Sequence, residues 1–168
     1  MKHYIGTKQI TAQPMIRGEY NIYRGWTLPD DEDGSDAGYL VEYQDGGVGN
    51  HPDHKGYISW SPKQQFEEAY QESGSLSFGH ALVALKDGKR VARSGWNGKG
   101  MWLVLVAGTP LAQLREGTVY RTATGLDECE ILPHIDMWTT NAHGRRAMLP
   151  GWLASQTDML ADDWCILS

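Results

Sequence analysis

Five tryptophans crowd the second half of the chain: Trp96, Trp102, Trp138, Trp152 and Trp164. Flat indole faces stack on nucleobases, a contact worth about 1–3 kcal/mol per base. Groups that donate hydrogen bonds or hold anions stand close to them in sequence. Asn97 and the glycine amides of the run Gly95 to Gly100 donate at close range, and Arg90, Arg93 and Lys99 are phosphate candidates. Gln156, Thr157 and Asp158 open a short helix capped by Ser155 or Thr157, and its free backbone N–H groups make an anion seat. Together these residue types stack a base and hold phosphate without cutting it. The alternative is that the tryptophans simply build the core of a small sheet, which some of them must do in either case.

Other chemistries find less support. There is no GxSxG elbow, no CxxC, and no serine or cysteine with a sequence-evident base. The glycine-rich 95–100 run lacks the strand-to-helix context and the GK[ST] ending of a phosphate loop, and no dinucleotide fingerprint occurs, so no cofactor is expected. The acidic run Asp30 to Asp36 fails as a calcium loop, because Pro29 and Leu40 stand where the first and last carboxylates belong. In His51-Pro52-Asp53-His54 the proline prevents the regular helix that aligns two metal ligands, so no metal is expected. His134 and Asp136 share a strand face as an acid/base pair or as two polar residues on a wet face. The reading is a binding protein, not an enzyme. Cys129 and Cys165 read as two separate thiols in a reducing compartment.

The elements that must position these residues fall into two modules. Residues 1–73 carry six basic and twelve acidic side chains, whereas residues 74–168 carry nine of each; seven of eight tyrosines lie in the first stretch. Gln71 to Ser75 has a linker's composition, so the expected domains are 1–73 and 76–168. The overall charge of −6 argues against binding long nucleic acid through a broad cationic face. No apolar run approaches membrane-spanning length, and MKHYIGTKQI lacks the features of a secretory signal. A soluble, cytosolic protein is expected.

The fold class is α+β: a small mostly β module with one helix, then a small antiparallel sheet packed with one principal helix. In the first module, strands are expected at Tyr4 to Thr11, Gly38 to Tyr43 and Tyr57 to Trp60, followed by a helix capped by Ser61 and running to Tyr70. In the second, Ser77 caps a helix carrying Phe78, Leu82 and Leu85, which ends at Asp87-Gly88. Strands follow at Arg90 to Arg93, Met101 to Val106, Ile131 to Thr139 and Arg145 to Leu149, with Trp152 to Ala154 continuing the sheet and Trp164 to Leu167 closing it. Asn97-Gly98 signals a hairpin turn. Gly108 to Glu130 reads as a loop with a short helix near Leu111 to Arg115.

Two motifs are more specific. The stretch SFGHALVALKDGKRVARSGWNGKGMWLVLV (77–106) and the ending GWLASQTDMLADDWCIL (151–167) resemble the phage anti-Thoeris family of the second type, over residues 76–168. The resemblance implies a non-enzymatic sponge that binds cyclic ADP-ribose isomers made by bacterial TIR-domain defence enzymes. Some members also bind cyclic dinucleotides of the CBASS system. It implies a homotetramer with pockets between subunits, acting in the cytoplasm of the infected bacterium. Carried over by motif, the ligand-binding positions are Ser77, Phe78, Gly79, Trp96, Asn97, Met101, Trp152, Ser155, Gln156, Thr157 and Asp158, with Arg93 and Lys99 as phosphate candidates. The assigned roles are stacking for Trp96, hydrogen bonds to base or ribose from Asn97, Gln156 and Asp158, and phosphate capture at Ser77 to Gly79 and Thr157. Two departures stand out: His80 replaces the usual acidic or Gln partner of a capping box, weakening that helix start, and Arg145 to Met148 lengthens the last hairpin. The first module, with PMIRGEYNIYRGWTLP and HKGYISWSP, resembles a short family of phage and prophage proteins, which implies no activity for it. The competing reading is a phage structural or protein-interaction module whose tryptophans are core.

Overall fold

The computed structural model describes residues 1–4, 6–96 and 100–167. The chain divides into two compact units, Met1–Gln71 and Glu72–Ser168. No helix among the described residues is long and apolar enough to cross a membrane.

In the first unit, β1 (Ile10–Pro14), β2 (Gly38–Tyr43) and β3 (Ile58–Pro62) form an antiparallel sheet in the order β1-β2-β3. Two helices accompany it, α1 (Arg17–Arg24) and α2 (Lys63–Ala69), where the sequence suggested one. α1 forms because Tyr20 and Tyr23, three apart, turn one aromatic face onto Leu40 and Ile58. Gly25, at φ 69°, ends it. The expected cap of α2 also shifts. Ser61 is taken up by the β ladder opposite Tyr39, so Pro62 becomes the cap residue, with no side-chain hydrogen bond. The first strand starts at Ile10 rather than Tyr4 and pairs Ile10 with Tyr43.

In the second unit, α3 (Phe78–Lys86) backs a five-stranded antiparallel sheet. Its strands are β4 (Arg90–Arg93), β5 (Trp102–Val106), β8 (His134–Thr140), β9 (Arg146–Leu149) and β10 (Trp164–Leu167), in the order β10-β4-β5-β8-β9. Ala81 and Ala84 are buried on α3 and let the helix approach closely, so that Leu85 meets Val91, Leu103 and Trp164 in one core. Burying each large aliphatic side chain there contributes about 1.5–3 kcal/mol. The capping box of α3 is closed rather than weakened: the Ser77 N–H donates to His80 Nδ1 at 3.3 Å, and the His80 N–H donates to Ser77 Oγ at 3.4 Å. An imidazole nitrogen accepts as a carboxylate does.

The stretch expected as a loop is a ribbon of its own. β6 (Thr109–Gln113) pairs with β7 (Glu128–Ile131), and the short helix is α4 (Val119–Thr124), not Leu111 to Arg115. The strand expected from Ile131 breaks at Leu132-Pro133, since proline has no N–H for the ladder, and β8 restarts at His134. Trp152 to Ala154 is not a strand. The Gly151 N–H is captured by Asp136 Oδ1 at 3.1 Å, and the Trp152 N–H donates to the Ile135 carbonyl at 2.7 Å, so the chain stays beside β8 without continuing the β9 ladder. One turn of helix, α5 (Gln156–Met159), leads back towards β10.

A tight steric demand in the first unit falls on Gly38, where an added Cβ lies 2.4 Å from the Trp60 ring. Gly38→Ala should cost about 1–3 kcal/mol through overpacking and displace that ring. Urea unfolding with the Trp60 indole NMR signal as probe reads both effects; an unchanged signal and midpoint would refute the packing.

Candidate functional site

Four separate pieces of the second unit meet around one buried indole. Trp164 on β10 is fully buried, and its Nε1–H donates to the Asp158 carbonyl at 3.1 Å. Trp96, just past β4, stands edge-on to Trp164 with ring centres 5.4 Å apart, and Trp152 stands edge-on to both, at 6.1 Å and 6.3 Å. Phe78, at the first turn of α3, reaches Trp164 at 5.5 Å and Trp152 at 6.4 Å. Only Trp164 is fully enclosed; Trp96, Trp152 and Phe78 are half-buried. Such edge-to-face contacts add about 0.5–1.5 kcal/mol each beyond burial and fix ring orientation.

An ionic hub locks this arrangement. Arg93 Nη1 donates to Asp158 Oδ1 at 2.7 Å, and Arg93 Nε donates to Asp163 Oδ1 at 2.8 Å. The other oxygen of Asp163 accepts from the Gly95 N–H at 2.8 Å and from Ser94 Oγ at 3.2 Å. An added Cβ on Gly95 would lie 2.8 Å from that same oxygen, so a side chain there would have to displace the Asp163 carboxylate. Asp158 Oδ1 also accepts from the Trp96 indole N–H at 3.3 Å, while its Oδ2 accepts from Ser155 N and Ser155 Oγ. Every oxygen of both carboxylates is therefore in use. Burial pushes the Asp158 carboxyl up, but hydrogen bonds from Ser155, Arg93 and Trp96 outweigh this and hold it below the usual carboxylate range. For Asp163, the hydrogen bond from Arg93 dominates and again lowers it. Arg93 is raised in turn, chiefly by Asp163.

The structure thus divides the residues singled out from the sequence. It brings Ser77, Phe78, Trp96, Trp152, Ser155 and Asp158 to one region, with Arg93 beneath them. Arg93 is held by two carboxylates instead of standing free for a phosphate, and Asp158 spends its oxygens inside the chain. The helical turn at Gln156 is four residues long, and its amide end is already answered by the Ser155–Asp158 capping box. Gln156 and Thr157 are exposed, with Thr157 Oγ1 2.8 Å from Ser155 Oγ. Gly79 is exposed in the first turn of α3, and a Cβ there meets only Ser77 Oγ, at an ordinary 3.6 Å. Met101 is half-buried next to Trp102. Asn97, Gly98 and Lys99, and with them the expected hairpin turn, lie outside the described residues. Asp163 escaped notice in the sequence. Only the ladder that pairs Trp164 with Arg93 places it beside that guanidinium.

Trp102 and Trp138 belong elsewhere. Strand alternation puts Leu103 on the helix side, so these two face the opposite side of the sheet, directly paired and stacked at 5.7 Å. His134 and Asp136 share that face, 3.5 Å apart. In the first unit, His54 Nδ1 bonds Glu42 at 2.9 Å and its Nε2 lies 2.9 Å from the Tyr23 hydroxyl, while His51 stacks on Tyr23. No group of three metal-ligating side chains forms among the described residues. Both cysteines are free thiols.

Fold and site together define a small α+β domain in which a helix start, the segment just past β4 and a C-terminal capped turn converge on a tryptophan cluster. Residues 76–167 match the Tad2-like family, described as the Thoeris anti-defense 2-like domain, and the chain belongs to that family. It is similar to Thoeris anti-defense 2 of Bacillus phage SP01, with 38% identity over 95 residues that make up 55% of this chain and 96% of that protein. The family match falls in the second unit.

Both hub carboxylates titrate below their ordinary value of 3.8 in the folded chain. Their stabilisation is therefore complete above that value and is lost as the pH falls below it. Asp158→Asn should destabilise the second unit by about 2 kcal/mol at pH 7 and by less at pH 3. Urea denaturation at both pH values measures this; an equal loss at both would contradict the ionic hub.

Proposed function

We propose that this chain is a phage-encoded sponge: it binds a cyclic nucleotide immune signal, holds it intact, and so silences the bacterial effector that awaits the signal. The observation that carries this reading is the convergence of both family motifs on one partly open aromatic cluster, in a chain of the Thoeris anti-defense 2-like family. The ligands are cyclic ADP-ribose isomers, with cyclic dinucleotides of the CBASS system as a second class. Trp96 stacks on the base, flanked by Phe78 and Trp152. The start of α3 at Ser77 to Gly79 receives phosphate, with Lys99 as a second phosphate candidate. Asn97, Gln156 and Thr157 hydrogen-bond the sugar and base edges. Arg93 and Asp158 act as positioning residues, holding Trp96 from beneath. No covalent step is involved, which accords with carboxylates and a guanidinium that are all spent on one another.

The protein acts in the cytoplasm of the infected host as a homotetramer with pockets between subunits. The half-buried Trp102–Trp138 face supports assembly, since it offers stacked indoles on the side of the sheet opposite α3. A useful sponge must bind in the nanomolar range, about −12 kcal/mol.

A second reading is a phage protein-interaction module whose tryptophans are core. It is favoured by the complete burial of Trp164 and by the engagement of the Trp96 N–H with Asp158.

The deciding experiment mixes the chain with glycocyclic ADP-ribose, removes free ligand, and releases what is bound by heating. Intact ligand is expected; a shorter product would reveal an enzyme, and no retained ligand of either class would favour the interaction module. Gly79→Ala separates fold from function, because glycine in a helix costs about 1 kcal/mol relative to alanine. That variant should melt no lower than the parent while retaining at least tenfold less ligand. Unimpaired retention would remove the start of α3 from the site.

A further inference from the structure

The first unit contains a concave site that the anti-defence reading leaves unused. A cavity of about 790 Å³ opens between α1, the loop that follows it and β3. Four aromatic rings line it: Tyr20, Trp26, Tyr57 and Trp60. Trp26 and Tyr57 are 53% and 46% exposed, so large ring surface is available within the cavity mouth. Two guanidinium groups enter the same wall, and they are not equivalent. Arg17 lies over the Trp60 ring at 4.4 Å and is neutralised by Glu32 at 2.8 Å and Asp36 at 3.1 Å. Arg24 lies over the Trp26 ring at 4.4 Å, and no carboxylate pairs with it among the described residues. Its Nη1 is buried with no hydrogen-bond partner.

That orphan donor is the unusual feature. A buried polar group without a partner costs about 1–3 kcal/mol, and more when charged. The setting sharpens the point, because residues 1–73 hold twice as many acidic as basic side chains, yet none answers Arg24. The wall is also built rather than loose. Asn50 clamps Ile58 from both sides, its Nδ2 donating to the Ile58 carbonyl at 2.9 Å and its Oδ1 accepting the Ile58 N–H at 2.8 Å. A guanidinium backed by an indole, with a spare donor, is suited to an oxyanion, and open indole and phenol faces are suited to a flat ring. The volume falls within the range of small-ligand sites.

We propose that the first unit binds a small anion carrying a flat ring, of nucleoside monophosphate size, with its anionic group on Arg24 and its ring against Trp26. The site is independent of the tryptophan cluster in the second unit and does not depend on the function proposed for it.

The test uses the full chain and three probes: AMP, adenosine and inorganic phosphate. Binding is followed through the indole N–H signals of Trp26 and Trp60. AMP should shift both signals saturably, with adenosine and phosphate each at least tenfold weaker. Arg24→Gln should weaken AMP at least tenfold, and Trp26→Ala should weaken it independently, which keeps the test decisive if Arg24→Gln fails to fold. The Trp26 and Trp60 shifts should persist in Trp96→Ala, showing that they do not originate in the second unit. Failure of AMP to saturate, equal affinity for phosphate alone, or indifference to both substitutions overturns the proposal.

Discussion

The second unit depends on one guanidinium shared between two carboxylates. Arg93 leaves the end of β4 and bridges Asp158 on the capped turn to Asp163 just before β10. That bridge ties the segment after β4 to the C-terminal segment, across 65 and 70 positions of sequence. The geometry spreads outward from it. Asp163 draws in the backbone at Gly95, Asp158 draws in the Trp96 indole, and the Ser155 capping box fixes Asp158 itself. Each carboxylate therefore performs two tasks, holding the charge of Arg93 and setting the path of a loop. Ion pairs shielded from water retain more of their strength than surface pairs, which are worth about 0–1 kcal/mol. Directional bonds at both ends turn that strength into orientation of the Trp96 ring.

The five tryptophans resolve into three roles because of where the chain places them. Trp164 sits on the helix side of a sheet strand and is core. Trp96 and Trp152 come from irregular chain, so they pack edge-on against Trp164 while part of each ring stays open. Trp102 and Trp138 lie on the opposite side of the sheet in register, where cross-strand neighbours approach closely enough to stack. Composition treats these residues as one set. Core and site are not alternatives here, since the buried indole is the platform that holds the half-buried ones.

What the sequence made legible was local. Ser77, Ser155, Asp87-Gly88 and the continuous apolar run through Trp102 to Val106 carry their own signals through capping chemistry and hydropathy, and these elements appear where expected. What it hid was set by pairing between distant segments. Ser61 is a fit helix cap in isolation but is claimed by β2, and Leu111 to Gln113 resembles a helical turn until β7 supplies a partner. Arg93 looked like a free phosphate ligand for the same reason, because its two acidic partners stand 65 and 70 positions away. Helix α1 was obscured by the glycine in its first turn, although its tyrosine spacing was there to be read.

Two residues break a local rule without benefit to the fold, one in each unit. Gly79 occupies the first turn of α3, where alanine would be accommodated and would favour the helix. Arg24 keeps a buried donor unanswered in an otherwise acidic stretch. Glycines such as Gly38 and Gly95 have a close neighbour that explains them, whereas Gly79 has only an ordinary contact and the Arg24 Nη1 has no hydrogen-bond partner. Local rules are broken in folded proteins chiefly where something outside the chain compensates. Gly79 leaves room for close approach to backbone amides, and Arg24 supplies charge beside a ring-lined cavity. Of the two, only the unanswered donor of Arg24 is a deficit that a bound anion would itself remove; the helix cost of Gly79 is one of backbone freedom, which a ligand does not restore.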